Sequence, residues 1–289
     1  STRQSLGIAG GTADVSLGGF LPGWALHAAK WVAVFVIPLG MLWFAEVRSA
    51  QGKLDRLASI VADLPTSARA HVNYATELQE AGRADEAAKE FAEAIRLNPG
   101  SAKAHVNLGS LLTAKGELDA AQSHFEQGLR IEPSNAEYHS GYAYLLDQLG
   151  RKDQAAAECE TAIRLAPKSP QAHYGYGAFL EKHGQPEEAI PKYRQALQLD
   201  PAHVDARIDL GSLLLEKGEL TEAREHFEKA SELNPKLAQP HNDLGKVFMR
   251  EGNVTQAIAQ FEEALRLHPD FPEAEENLRV ARETSAQSP

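Results

Sequence analysis

Residues 99–133 read PGSAKAHVNLGSLLTAKGELDAAQSHFEQGLRIEP. Leu108, Leu111 and Leu112 recur at helical spacing before Gly116, and Ala121, Phe125 and Leu129 do so after it. Glycine just past a helix end takes the left-handed backbone that a sharp reversal needs, and proline stops the second helix. The stretch therefore predicts two short antiparallel helices, turned at Gly116 and bounded by Pro99 and Pro133. The pattern is not local. Pro65, Pro99, Pro133, Pro167, Pro201, Pro235 and Pro269 stand 34 residues apart, and Gly82, Gly116, Gly150, Gly184, Gly218 and Gly252 follow 17 residues behind the first six. Such periodicity predicts an all-α array of six helical hairpins over 65–268.

At these positions the chain resembles the tetratricopeptide repeat family. That family places a large residue, a Leu/Tyr–Gly/Ala pair and another large residue on the first helix. Here these are His105, Leu108–Gly109 and Leu112, preceded by His71, Tyr74–Ala75 and Leu78. On the second helix it places a small residue, an aromatic, a small residue and then proline: Ala87, Phe91, Ala94 and Pro99, or Ala223, Phe227, Ala230 and Pro235. Cys159 departs from the aromatic slot, Gly128 from an alanine slot, and Arg207 from the first large slot. The resemblance implies a right-handed superhelical solenoid in which the aromatic plugs the gap between neighbouring repeats. Residues 269–285, with Leu278 but Arg279 and Arg282 at formerly apolar slots, read as a solvating cap helix, followed by a tail at 286–289.

Composition narrows the partners. Aromatic residues make up only 7% of the chain, too few for a β-sandwich and in keeping with Ala/Leu-rich helices. The formal charge is −11, and residues beyond 64 carry −12, because the first 64 hold five basic and four acidic side chains. An array that acidic is repelled by phosphate backbones, so nucleic acid is not an expected partner. A single cysteine rules out an internal disulfide framework and a cysteine-only metal site.

The N-terminal region reads differently. Residues 1–19 are a Gly/Ser/Thr-rich flexible tail, and 20–46 carry a candidate transmembrane anchor. Trp31 to Ala45 is an uncharged, mostly apolar run of fifteen residues. It reaches about 28 Å along a helix, close to the ~30 Å bilayer core, when counted from Trp24 to Trp43, which puts an indole at each interface. Lys30 would snorkel, and Pro38 would kink the span, as membrane helices tolerate. A buried helix packed on the first repeat and a cleaved signal peptide are the competing readings. Three tryptophans with Phe35 and Phe44 around all faces, and no small-x-small site soon after Ala45, weigh against them. Lys30 on one side against Arg48, Lys53 and Arg56 on the other leans towards cytoplasmic repeats, with an extracytoplasmic placement left open because the sequence begins at Ser1. Residues 47–64, with Leu54, Leu57, Val61 and Leu64 on one stripe, predict a linker helix covering the first repeat.

No chemistry emerges from the side chains. His71, His105, His139, His173 and His241 fall in register, one per repeat. Same-slot residues in successive repeats are at least as far apart as packed helices, about 8–10 Å, which is too far for ligands of one ion. They read as amphipathic residues at the helix–helix seam. No His-Glu-x-x-His run, phosphate-cradling loop or nucleophile elbow occurs, and Cys159 in the plug slot reads as a buried, inert thiol. Asn253-Val254-Thr255 matches a glycosylation triplet that short sequences produce by chance. Pro191 inside a second helix removes a hydrogen bond at about 3 kcal/mol and predicts a kink. No enzyme, cofactor or metal is expected.

The reading that remains is a membrane-anchored interaction scaffold, a subunit or assembly factor of a membrane complex. The alternatives are an accessory subunit positioning substrates for a separate transferase, and a self-associating solenoid. By resemblance, the first helices line the concave face that meets a protein partner. Arg69 and Asn73 on the first repeat, with Lys103 and Asn107 on the second, are candidate contacts, since an amide both donates to and accepts from an extended backbone. Gly141, Gly175, Asp209 and Asp243 then break the asparagine ladder. At the other end Asn242, Lys246, Met249 and Arg250 read as a basic, partly apolar patch for an acidic segment.

Overall fold

The computed structural model describes residues 51–287. The chain divides into two compact units, Ser1–Asp63 and Leu64–Pro289. Of the first, the described part is a helix over 51–63. The candidate span with Trp24, Trp31, Pro38 and Trp43, the 1–19 tail and the start of the linker helix lie outside the described residues. Among the described residues no helix is long and apolar enough to cross a membrane.

The second unit is built from helices alone. α1 (Ala68–Glu80) and α2 (Ala84–Leu97) form the first hairpin, α3 (Ala102–Ala114) and α4 (Leu118–Ile131) the second, and α5 (Ala136–Gln148) and α6 (Lys152–Leu165) the third. α7 (Pro170–Lys182) with α8 (Pro186–Leu199), α9 (Val204–Lys217) with α10 (Leu220–Leu233), and α11 (Gln239–Arg250) with α12 (Val254–Leu267) complete the series. α13 (Pro272–Gln287) closes it. Each second helix also packs on the first helix of the next hairpin, so the elements form a stack. The six ladder glycines all have φ between 71° and 80°, the left-handed turn that their position after each first helix predicted.

Helix ends follow from side-chain chemistry. Ser67, Asn135, Ser169 and His203 accept backbone N–H bonds at the starts of first helices. Most second helices instead open with acid, such as Asp85 and Glu86 or Glu187 and Glu188, and several close with arginine, as at Arg96, Arg130, Arg164 and Arg266. These charges complement the helix dipole. α8 runs unbroken through Pro191, whose ring is exposed, so no helix break accompanies the predicted kink.

The core repeats with the sequence. Ala87, Phe91 and Ala94 are fully buried on α2, and Ala223, Phe227 and Ala230 on α10. Small residues opposite these rings let the helices close. A Cβ built on Gly109 would stand 2.9 Å from Phe125, and one on Gly211 would stand 2.8 Å from Phe227. Phe125 also reaches the next repeat, where a Cβ on Gly141 would stand 2.9 Å from its ring. One aromatic thus fills the seam within a hairpin and the gap to the next.

The register histidines are latches. In His71, His105, His139 and His173, Nε2 donates to the carbonyl of the ladder proline six residues earlier, at 2.9–3.1 Å. Arg207, in the same slot, donates to Pro201 O through Nε and Nη2. In two of them the other ring nitrogen also reaches a carboxylate across the hairpin: His71 Nδ1 lies 2.6 Å from Glu90 and His139 Nδ1 lies 2.5 Å from Glu158. Each latch occupies a proline carbonyl in the link that leads into its own first helix.

α13 starts three residues later and ends two residues later than the sequence reading, with Pro272 at its first position. Ala274, Leu278 and Ala281 are its buried face. Arg279 and Arg282 point outward, paired with Glu276 and Glu283 and with Glu262.

Candidate functional site

The structure separates the two groups of candidate contacts. Arg69 and Asn73 on α1 and Lys103 on α3 are exposed, and Asn107 is half-buried. None of the four makes a side-chain hydrogen bond or ion pair among the described residues. They stand at matching positions of successive first helices, so two amides and two cations present unsatisfied hydrogen-bonding capacity on one face.

The C-terminal patch is different. Asn242 is 0% exposed and accepts from Asn277 Nδ2 at 2.9 Å. It is therefore a core amide and not a contact. Lys246 is ion-paired to Asp243 at 2.6 Å and to Glu273 at 2.8 Å. Burial acts to lower its pKa, but these two carboxylates overcome that and hold it above the ordinary lysine value. Arg250 donates to the carbonyl of Leu215 in the preceding repeat. Met249 is half-buried against the core. The basic patch read from these residues is largely satisfied internally, because α13 brings Glu273 and Asn277 onto α11.

Between these ends the first-helix face is acidic. Asp209, in the broken ladder slot, accepts from the Tyr174 hydroxyl at 3.0 Å. Burial pushes its carboxyl up to about 6, with Glu181, Asp205 and Asp243 adding to the rise against the opposing Tyr174 bond. A folded-state pKa above the ordinary value of about 3.9 means that the native chain binds the extra proton. Its contribution to stability is therefore full below about pH 4 and is lost as pH rises through about 6. We expect Asp209→Asn to be more stable than wild type at pH 7 and to flatten the stability change between pH 4 and 6. Urea unfolding at several pH values checks this, and an unchanged slope would contradict it.

The sequence reading missed a cavity of about 220 Å³ between the third and fourth hairpins. Ala143, Tyr144 and Asp147 of α5, Cys159 of α6, and Gly175, Tyr176 and Phe179 of α7 line it. The Cys159 thiol is 6% exposed, and burial, with Asp147, Glu158 and Glu160 nearby, pushes its pKa up to about 12. It is a poor nucleophile, as its slot predicted. Among the described residues no group of three His, Cys, Asp or Glu side chains is placed to hold a metal ion.

Stacked helical hairpins with a buried aromatic in five of the six plug slots and a positive-φ glycine at each turn define a helical repeat solenoid. The tetratricopeptide repeat model matches residues 78–141, 112–179 and 180–244, and a second model of the same repeat matches 238–271. The chain belongs to the tetratricopeptide repeat family. No curated protein sequence matches it. Among solved structures, the Cut9–Hcn1 hetero-tetramer of the APC/C is similar over 80% of this chain, with a TM-score of 0.69 and 18% identity. This chain spans 46% of that one. YrrB, described as a TPR protein with an unusual peptide-binding site, is 26% identical over 65% of this chain and 97% of its own, with a TM-score of 0.51. PilF of Pseudomonas aeruginosa is 18% identical over 72% of this chain and 95% of its own, with a TM-score of 0.63.

Proposed function

We propose that this chain is a protein-interaction scaffold tethered to a membrane by residues 20–46, acting as a subunit or assembly factor of a membrane protein complex. The observation that carries the binding part is that Arg69, Asn73, Lys103 and Asn107, on adjacent first helices, have no side-chain partner among the described residues. Side chains held on rigid helices with free donors and acceptors suit capture of an extended protein segment. The likeness to YrrB, whose description names a peptide-binding site, supports the same use. The Trp24-to-Trp43 stretch supports the tether, which would raise the local concentration of the groove beside membrane partners.

Two measurements test this. The full chain should stay in the membrane fraction through a carbonate wash, and its recovery in the supernatant would leave no spanning anchor. Partner subunits co-purified in mild detergent should bind the Asn73→Ala/Asn107→Ala double variant about tenfold or more weakly, at two lost hydrogen bonds of about 1 kcal/mol each, with unchanged helicity. Wild-type affinity in that variant would move the contact off this face.

A further inference from the structure

Five of the six hairpins hold a ring in the plug slot: Phe91, Phe125, Tyr193, Phe227 and Phe261, each at most 1% exposed. The third hairpin holds Cys159 instead. The consequence is visible at two equivalent glycines. A Cβ on Gly141 would stand 2.9 Å from the Phe125 ring of the preceding repeat, whereas a Cβ on Gly175 would meet nothing within 4 Å. The 220 Å³ cavity lies where that ring is missing. Its lining is apolar apart from the rim, where Lys182 pairs with Asp147 at 2.6 Å. Tyr144, at 61% exposed, also lines it.

We propose that this cavity is an anchor pocket for a phenylalanine side chain of the partner segment, which supplies in trans the ring that the third hairpin lacks. The inference rests on the scaffold reading and gives it a specific contact. The occupant follows from the template inside the molecule, since equivalent slots are shaped around a phenyl or phenol ring. An apolar cavity of about 150 Å³ suffices for benzene, so this one admits a phenyl group. Burying the ring gives the apolar anchor that interface hot spots are built on, with exposed Tyr144 available to pack along the segment that carries it.

The probe is N-acetyl-4-fluoro-L-phenylalaninamide, observed by fluorine NMR with the full chain in lipid nanodiscs. Two variants close the pocket. Cys159→Phe restores the plug, and the fully buried Ala75–Phe91 pair of the first hairpin shows that a ring fits beside an alanine at the position of Ala143. Gly175→Leu fills the pocket from the opposite wall, where its Cβ has open space. Wild type should broaden the fluorine signal saturably, and both variants should weaken that binding at least tenfold. No saturable broadening by wild type, or broadening that survives in either folded variant, would overturn the pocket. The probe needs no partner, so the two readings fail separately. A chain that binds its partner but not the ring loses only the pocket, and a chain that binds the ring but no partner keeps the cavity's affinity for a phenyl group and loses the scaffold reading together with the partner as the ring's source.

Discussion

Phe227→Ala is expected to cost about 3–5 kcal/mol and to lower the urea midpoint accordingly. The ring is 0% exposed and faces Gly211, which has no side chain to move into the space left behind. The site therefore cannot collapse around the smaller residue, and the cost falls at the upper end of what truncated core residues show. Stability in a stacked array is close to a sum of repeat and nearest-neighbour terms. Hydrogen exchange should accordingly rise first in α9 to α11, with α1 to α4 still protected. Cys159→Ala, which removes one sulfur from the wall of an existing cavity, should cost much less. Equal losses for the two would mean that the aromatic slot does not organise the stack.

Gly245→Ala and Gly175→Ala should move stability in opposite directions. Both glycines lie inside first helices, where the alanine is worth up to about 1 kcal/mol through helix propensity. At Gly245 the added Cβ would stand 2.3–2.7 Å from three atoms of the Phe261 ring, and that ring is 1% exposed. Overpacking of this kind costs about 1–3 kcal/mol and outweighs the propensity gain. At Gly175 nothing lies within 4 Å, so the gain stands alone. Thermal melts of the two variants decide the matter, and a shared sign would show that backbone preference rather than the ring contact sets the outcome.

These contrasts mark how far the sequence could be read. The hairpin turns were legible because each has its own local chemistry, a glycine that must take positive φ and a proline that cannot continue a helix. The plug slots were legible because one residue type recurs at one phase. Cys159 was recognised as an exception and its burial inferred, but whether neighbouring side chains relax into the vacated volume is a matter of packing that no periodicity encodes. The internal pairing of the C-terminal candidates was not legible for a related reason. Glu273 lies 27 residues beyond Lys246 and Asn277 lies 35 beyond Asn242, on a cap helix that departs from the repeat pattern. Their pairing could not be extrapolated from the interior repeats. Arg69, Asn73, Lys103 and Asn107 could be set at matching helix positions because the first two repeats both follow the period.

The proline-carbonyl latches have a mechanical corollary. Links at Pro99, Pro133, Pro167 and Pro201 are each tied to the next helix by a histidine or arginine side chain, while His241 reaches only Gln260 and, among the described residues, leaves the carbonyl of Pro235 untied. Regarded as a spring, the array has four joints held at the proline link, and a fifth held by Arg250 on the Leu215 carbonyl and by the Arg224–Glu251 pair. Tension along the array would therefore load short proline links at four joints and long arginine side chains at the last.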